Sequence, residues 1–220
     1  MNNSNTAIEK FRQEFRSKNI PAYYIGWVHF MLTTVISITI IYFGIIMLDH
    51  VHGLQWLTIP LTFLYANLAE YWGHKGPMHH LRKPLQMIYQ RHSKEHHVFF
   101  TDKHMPFGES RDYKAVLFPI SLTVFFFGLF GSPIWFLLSW LFSSNVAWLF
   151  VVTGVAYFLN YEWFHFAYHC AEDSWVMHIP GFKKLRRLHL HHHNQKLMAR
   201  YNFNITYPIC DILFGTYYKD

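Results

Sequence analysis

Four long apolar stretches, residues 25–48, 54–72, 115–142 and 145–164, constrain this chain more than any other feature. A helix needs about 20 predominantly apolar residues to cross a bilayer, and each stretch is close to that length or longer. The first pair is separated only by Asp49-His50-Val51-His52-Gly53, and the second by a turn at Ser143-Ser144-Asn145, with Asn145 the expected N-cap of the fourth helix. Gly131-Ser132-Pro133 is a competing turn position, because proline inside a helix kinks it. Either turn leaves two crossings in that half, so the expectation is two antiparallel helical hairpins. The chain is 52% hydrophobic and 20% aromatic but only 15% charged. Soluble domains carry about 25% charged residues, so a membrane protein is indicated.

The cations orient it. All 19 Lys and Arg residues fall in 1–24, 73–114 or 170–220, and neither short turn contains one. This is the positive-inside pattern. The expected fold class is therefore all-α integral membrane: four transmembrane helices in two hairpins, under a cytosolic helical cap. The whole of 1–220 reads as one membrane domain. Its parts are a cytosolic N-terminus (1–24), a first hairpin (25–72), a cytosolic loop (73–114), a second hairpin (115–168) and a cytosolic C-terminal segment (169–220). Both termini are expected in the cytoplasm, at a bacterial inner membrane or an endoplasmic reticulum membrane. The net charge of +6 and pI near 9.2 would also suit nucleic-acid binding. The placement of the charge assigns it instead to orientation and anionic headgroups, and no nucleic-acid partner is expected. Lys10, Arg12, Arg16 and Lys18 precede the first apolar run without a cleavage site, so that run reads as a span and not a leader. Cys170 and Cys210 form neither a CxxC motif nor a disulfide framework.

Histidine gathers on the cytosolic side of this topology. His74 and His79 follow the second span, five residues apart, a spacing that does not share an α-helical face. Gly76-Pro77 is expected to break the helix between them. His92 and His96 are i,i+4 and share a face, while His97 is rotated by about 100° toward a neighbouring metal or another edge of the same one. His165 and His169, again i,i+4, close the fourth span. His189, His192 and His193 repeat a spaced histidine followed by an adjacent pair, with His191 as the spectator, although the spacing alone would let it replace His192. Each cluster alone has an ordinary explanation, as a polar helix end, a solvated basic helix or an interfacial aromatic belt. Together they point to a polynuclear metal site, since neutral imidazole is the commonest metal ligand near neutral pH. Glu70, one turn before His74, and Glu162, three residues before His165, are expected to support the ligand rings from behind. His29, His50 and His52 read as structural or interfacial, and His80, His104 and His178 have no partner at ligand spacing.

These boxes resemble the fatty acid hydroxylase superfamily of integral-membrane histidine-box enzymes, from about His74 to the C-terminus. His74-x4-His79, His165-x3-His169 and His189-x2-His192-His193 match its patterns. His92-x3-His96-His97 has one residue more than the common His-x2-His-His. The tail Tyr201-Asn202-Phe203-Asn204-Ile205-Thr206, with Pro208, Asp211 and Phe214-Gly215-Thr216, resembles the family's ending, with Asn204 where glycine is frequent. The resemblance implies two iron ions held by the boxes, O2 as cosubstrate and a lipid substrate whose C–H bond is hydroxylated. A fatty acyl chain is favoured over a sterol or carotenoid. It also implies an external electron donor such as cytochrome b5, ferredoxin or a reductase.

Imidazole suits zinc and copper as well as iron, so zinc in the purified protein is compatible with the same ligands. A membrane zinc hydrolase would use a carboxylate base, with Glu70, Glu95 or Glu162 available. A metal transporter would place ligands at mid-membrane, whereas these lie at or beyond the span ends. The ends of the second and fourth spans are the expected lipid route to the site.

Overall fold

A computed structural model describes residues 3–219, without the side chains of 3–6, 125, 126 and 130. Its helices are α1 Asn3–Asn19, α2 Gly26–Ile46, α3 Thr58–Gly73, α4 Gln86–Tyr89, α5 His97–Phe99, α6 Ile120–Phe126, α7 Ser132–Leu141, α8 Ser144–Tyr168, α9 Phe182–His192 and α10 Ile209–Leu213. No strand occurs among the described residues. The central helix is α8, which packs against α2, α3 and α7.

The outer helices are turned inside out relative to a soluble bundle. The buried residues of α2 are Gly26, Thr33, Ser37 and Gly44, while Met31, Val35, Ile38, Tyr42 and Ile45 face outward. Small residues let backbones approach where lipid and not water surrounds the helices. A Cβ at Gly44 would run into Val152 of α8. Among the described residues two helical runs, Gly26–Ile46 and Ser110–Leu141, are long and apolar enough to cross a membrane.

The second turn falls at Phe142–Ser143. Ser143, and not Asn145, caps α8, accepting a hydrogen bond from the Val146 N–H at 3.2 Å. Asn145 instead reaches the first turn, accepting from the Asp49 N–H at 3.0 Å and donating to the Asp49 carbonyl at 2.6 Å. Gln55 donates to Ser143 Oγ at 3.0 Å. The two turns are thus tied together at one end of the molecule. Gly131-Ser132-Pro133 makes no turn: a π-helical turn over Phe127–Gly131 leads directly into α7, with Pro133 in its first turn.

Elsewhere, α1 braces the histidine-bearing loop. Arg12 donates to the carbonyls of Phe99 and His104 at 2.9 and 2.7 Å. Arg16 grips the buried Asp112 with two bonds of 2.8 Å.

Candidate metal centre

The helix does not break at Gly76-Pro77. It widens into a π-helical turn over His74–Met78, and a second π-helical turn spans Gln90–His96. Hydrogen bonding from i to i+5 brings residues five apart beneath one another. His74 and His79 therefore meet, with ring centroids 5.0 Å apart. For the same reason His92 pairs with His97, Nε2 to Nε2 at 3.0 Å, and His96 is the one that points elsewhere. The spacing put His92 and His96 on one face and left His97 open to a neighbouring metal or another edge of the same one; the turn groups His97 with His92 and His96 with the second five. The extra residue of the second box is what the π-turn absorbs.

All ten histidines are buried, His92 the least at 8% exposure. They form two groups of five: His74, His79, His92, His97 and His192, and His96, His165, His169, His189 and His193. The ligating atoms within each group all lie within 4.8 Å of one another. In the first group the Nε2 atoms stand 2.8 Å apart for His74–His92, 3.0 Å for His79–His192 and 3.2 Å for His79–His92. In the second they are 3.2 Å for His96–His193 and His96–His165, 3.3 Å for His169–His189 and 3.0 Å for His189–His193. Adjacent ligands at right angles around a metal with bonds of about 2.1 Å stand about 3 Å apart, so the donor set fits a metal ion in each group.

The opposite ring nitrogens show which tautomer is held. His96, His169, His192 and His193 donate Nδ1–H to the carbonyls of Ala115, Met105, Tyr201 and Phe100 at 2.8–3.0 Å, and His74 donates to Phe203. Such bonds leave Nε2 bare and aimed inward. Lone pairs that face one another with no proton between them repel, and a central cation relieves that repulsion. Burial pushes His96 down to about 3 and His192 to about 4, and holds His74, His97 and His193 well below the ordinary imidazole value. The neutral, ligating form prevails at neutral pH.

Neither carboxylate supports the ring it was expected to serve. His74 Nδ1 is taken by the Phe203 carbonyl. Glu70 instead accepts from the N–H groups of Ile205 and Thr206, from Thr206 Oγ1 at 2.7 Å and from Tyr157. It holds the backbone segment that carries the Phe203 carbonyl, so it acts on His74 at one remove. Glu162 accepts from the Phe118 N–H at 3.1 Å and pins the start of the third apolar stretch to α8.

Sequence reasoning missed the rest of the tail's anchorage. Asp211 accepts from the Phe203 and Asn204 N–H groups at 2.9 and 2.7 Å, and Asn204 donates to the Asn67 carbonyl at 3.0 Å. No glycine is needed at 204, because the left-handed conformation falls on Asn202 (φ 56°). A fully buried Asn67 inside an apolar stretch was the available signal. His191 packs on Tyr218 and belongs to neither group. His29 accepts from the Tyr24 hydroxyl and donates to the Phe118 carbonyl, a structural role.

Two adjoining five-histidine groups at one end of an apolar-faced helical bundle make a site fitted to hold two metal ions. A fatty acid hydroxylase family model matches residues 59–216, and the chain belongs to that family. A search of curated protein sequences gives no match. Among solved structures the chain is similar to full-length Scs7p, in which only the hydroxylase domain is visible. The TM-score is 0.60 at 17% identity, covering 89% of this chain and 67% of that one, a likeness of fold.

Proposed function

We propose that this protein is a membrane-bound, iron-dependent lipid hydroxylase that inserts oxygen from O2 into a C–H bond of a fatty acyl chain. The observation that carries the reading is the pair of five-histidine groups, each with its Nε2 atoms converged, below helices whose apolar side chains face outward. Family membership supports the hydroxylase class. Iron in both groups would supply the redox chemistry with O2, and electrons would come from an external donor such as cytochrome b5, ferredoxin or a reductase.

The chain's own residues do the rest. Backbone carbonyls fix five rings before any metal arrives, so little ordering entropy remains for binding. Phe100, Phe203 and Tyr168 lie against the histidines and are buried, which excludes water. The proposed topology has four crossings. The two tied turns lie on the far side of the membrane, and both termini and the histidines lie on the cytoplasmic side.

The test is metal content together with O2-dependent product analysis in membranes co-expressing a reductase. Hydroxylated acyl lipid with iron in both groups is expected. Oxidised sterol or carotenoid would move the substrate within the same chemistry. Stoichiometric zinc with turnover under nitrogen would replace the proposal with a hydrolase.

A further inference from the structure

The backbone carbonyls of residues 99–106 are shared between two kinds of partner. Phe100 accepts from His193 Nδ1–H at 2.8 Å, and Met105 accepts from His169 Nδ1–H at 3.0 Å. The carbonyls beside them belong to Arg12 of α1. It donates to Phe99 at 2.9 Å, to His104 at 2.7 Å and to Pro106 at 3.4 Å. Thr101 and His104 close the loop by exchanging backbone hydrogen bonds of 3.4 and 2.9 Å. One side chain from the N-terminal helix thus grips the chain just before Phe100 and on both sides of Met105.

The loop in turn bears on the ligands by packing. The Phe100 ring lies 4.2 Å from that of His169, centre to centre, and Asn194, next to His193, donates to Asp102 at 2.7 Å. The Arg12 guanidinium is buried, over the rings of Phe99 and Phe100 at 5.0 and 5.4 Å, and its carboxylate neighbour Glu9 stands 3.8 Å away at the surface. A buried cation is costly unless its donors are satisfied, and here the loop carbonyls satisfy them. The rigid fork of guanidinium donors can hold several carbonyls in fixed directions, which a single ammonium cannot.

The first group is supported elsewhere. His74 and His192 are held by the carbonyls of Phe203 and Tyr201 in the tail. His169 and His193 both belong to the second group. The helix α1 also precedes residues 59–216, the stretch that the family model matches.

We propose that α1 is a clamp selective for the second metal group, with Arg12 the positioning residue that sets the carbonyls of Phe100 and Met105 for His193 and His169. The proposal rests on the reading of the two groups as metal sites and on nothing about the substrate.

The test is Co2+ titration of the full-length, metal-stripped protein in lipid nanodiscs, followed by visible absorption. The unaltered protein should bind Co2+ in both groups; no binding there would sink the metal reading itself. His92→Ala leaves the second group to be titrated, and His96→Ala the first. Arg12→Gln should weaken Co2+ binding about tenfold in the His92→Ala protein, the lower end of what an outer support of a ligand contributes, and shift the visible bands. In the His96→Ala protein it should leave Co2+ binding as before, which also shows that the variant folds. Arg12→Lys should recover part of the lost affinity. Phe11→Ala removes packing between α1 and the same core cluster but no hydrogen bond to the loop, and it should leave the second group's affinity in place. Equal weakening in both backgrounds overturns the selectivity. A fall in Phe11→Ala as large as that in Arg12→Gln overturns Arg12 as the positioning residue. Co2+ bound by the unaltered protein but by neither single-group background would mean that the groups load as one, and would overturn a clamp on the second alone.

Discussion

His92 and His96 stack one turn apart on the same helix, ring centroids 5.2 Å apart and planes 21° apart, yet they belong to different groups of five. They are one of the places where the two groups touch; His97 and His193 are another, with ring centroids 4.4 Å apart. Each group otherwise draws on its own part of the chain: the first on His74, His79 and His97, the second on His165 and His169. The C-terminal helix serves both, through His192 on one side and His189 and His193 on the other.

That division predicts separable losses. His92→Ala should empty the first group and leave the second loaded, and His96→Ala should do the reverse. Each should abolish turnover, because the reaction is expected to need both. Metal analysis of the purified variants reads this directly. Loss of both metals from either variant would mean that the groups load as one unit.

The π-turn at Gln90–His96 predicts an unusual tolerance. Lys94 is exposed and sits in the turn. Deleting it should convert the turn to α-helix, bring the box to His-x2-His-His and keep both metals bound. Deleting Leu190 from α9, which has no such turn, should rotate His192 and His193 by about 100° relative to His189 and empty both groups. Metal loss in the Lys94 deletion equal to that in the Leu190 deletion would remove the explanation.

The same turns mark where legibility stopped. The positions of the ten histidines were readable because imidazole has few other reasons to cluster there. Their sorting was not, because α-helical spacing pairs His92 with His96 and the backbone follows i to i+5 instead. The roles of Glu70 and Glu162 were misjudged for a related reason. Spacing along one helix says which side chains lie near each other, but Glu70 finds its partners in α8, at Tyr157, and in the tail, where Ile205 is 135 residues away.

His191 and His192 are neighbours with opposite predicted outcomes. His192 Nε2 lies 3.0 Å from that of His79, while the His191 ring packs on Tyr218. His191→Ala should retain both metals and turnover, and His192→Ala should lose the metal of the first group. Full activity in His192→Ala would require a different ligand set.

Glu70→Ala should cost about 3 kcal/mol, since it strands the N–H groups of Ile205 and Thr206. It should also lower the metal content of the first group more than that of the second, because the freed segment carries the carbonyl that holds His74. Chemical denaturation and metal analysis test the two parts. Equal loss from both groups would show that the tail does not act through His74.

The tied turns carry the topology. Asp49, Gln55, Ser143 and Asn145 are bonded together at one end, and the histidines occupy the other. In a Cys170→Ser, Cys210→Ser background, cysteines at Gly53 and Lys94 report on the two ends. Gly53 is exposed with open space around a side chain, and Lys94 is exposed. An impermeant maleimide should label Gly53→Cys from the outside of sealed cells, and Lys94→Cys only after the membrane is opened. Labelling of both from one side would leave the molecule lying on the bilayer surface, and the outward apolar faces of α2 and α3 would then need another partner.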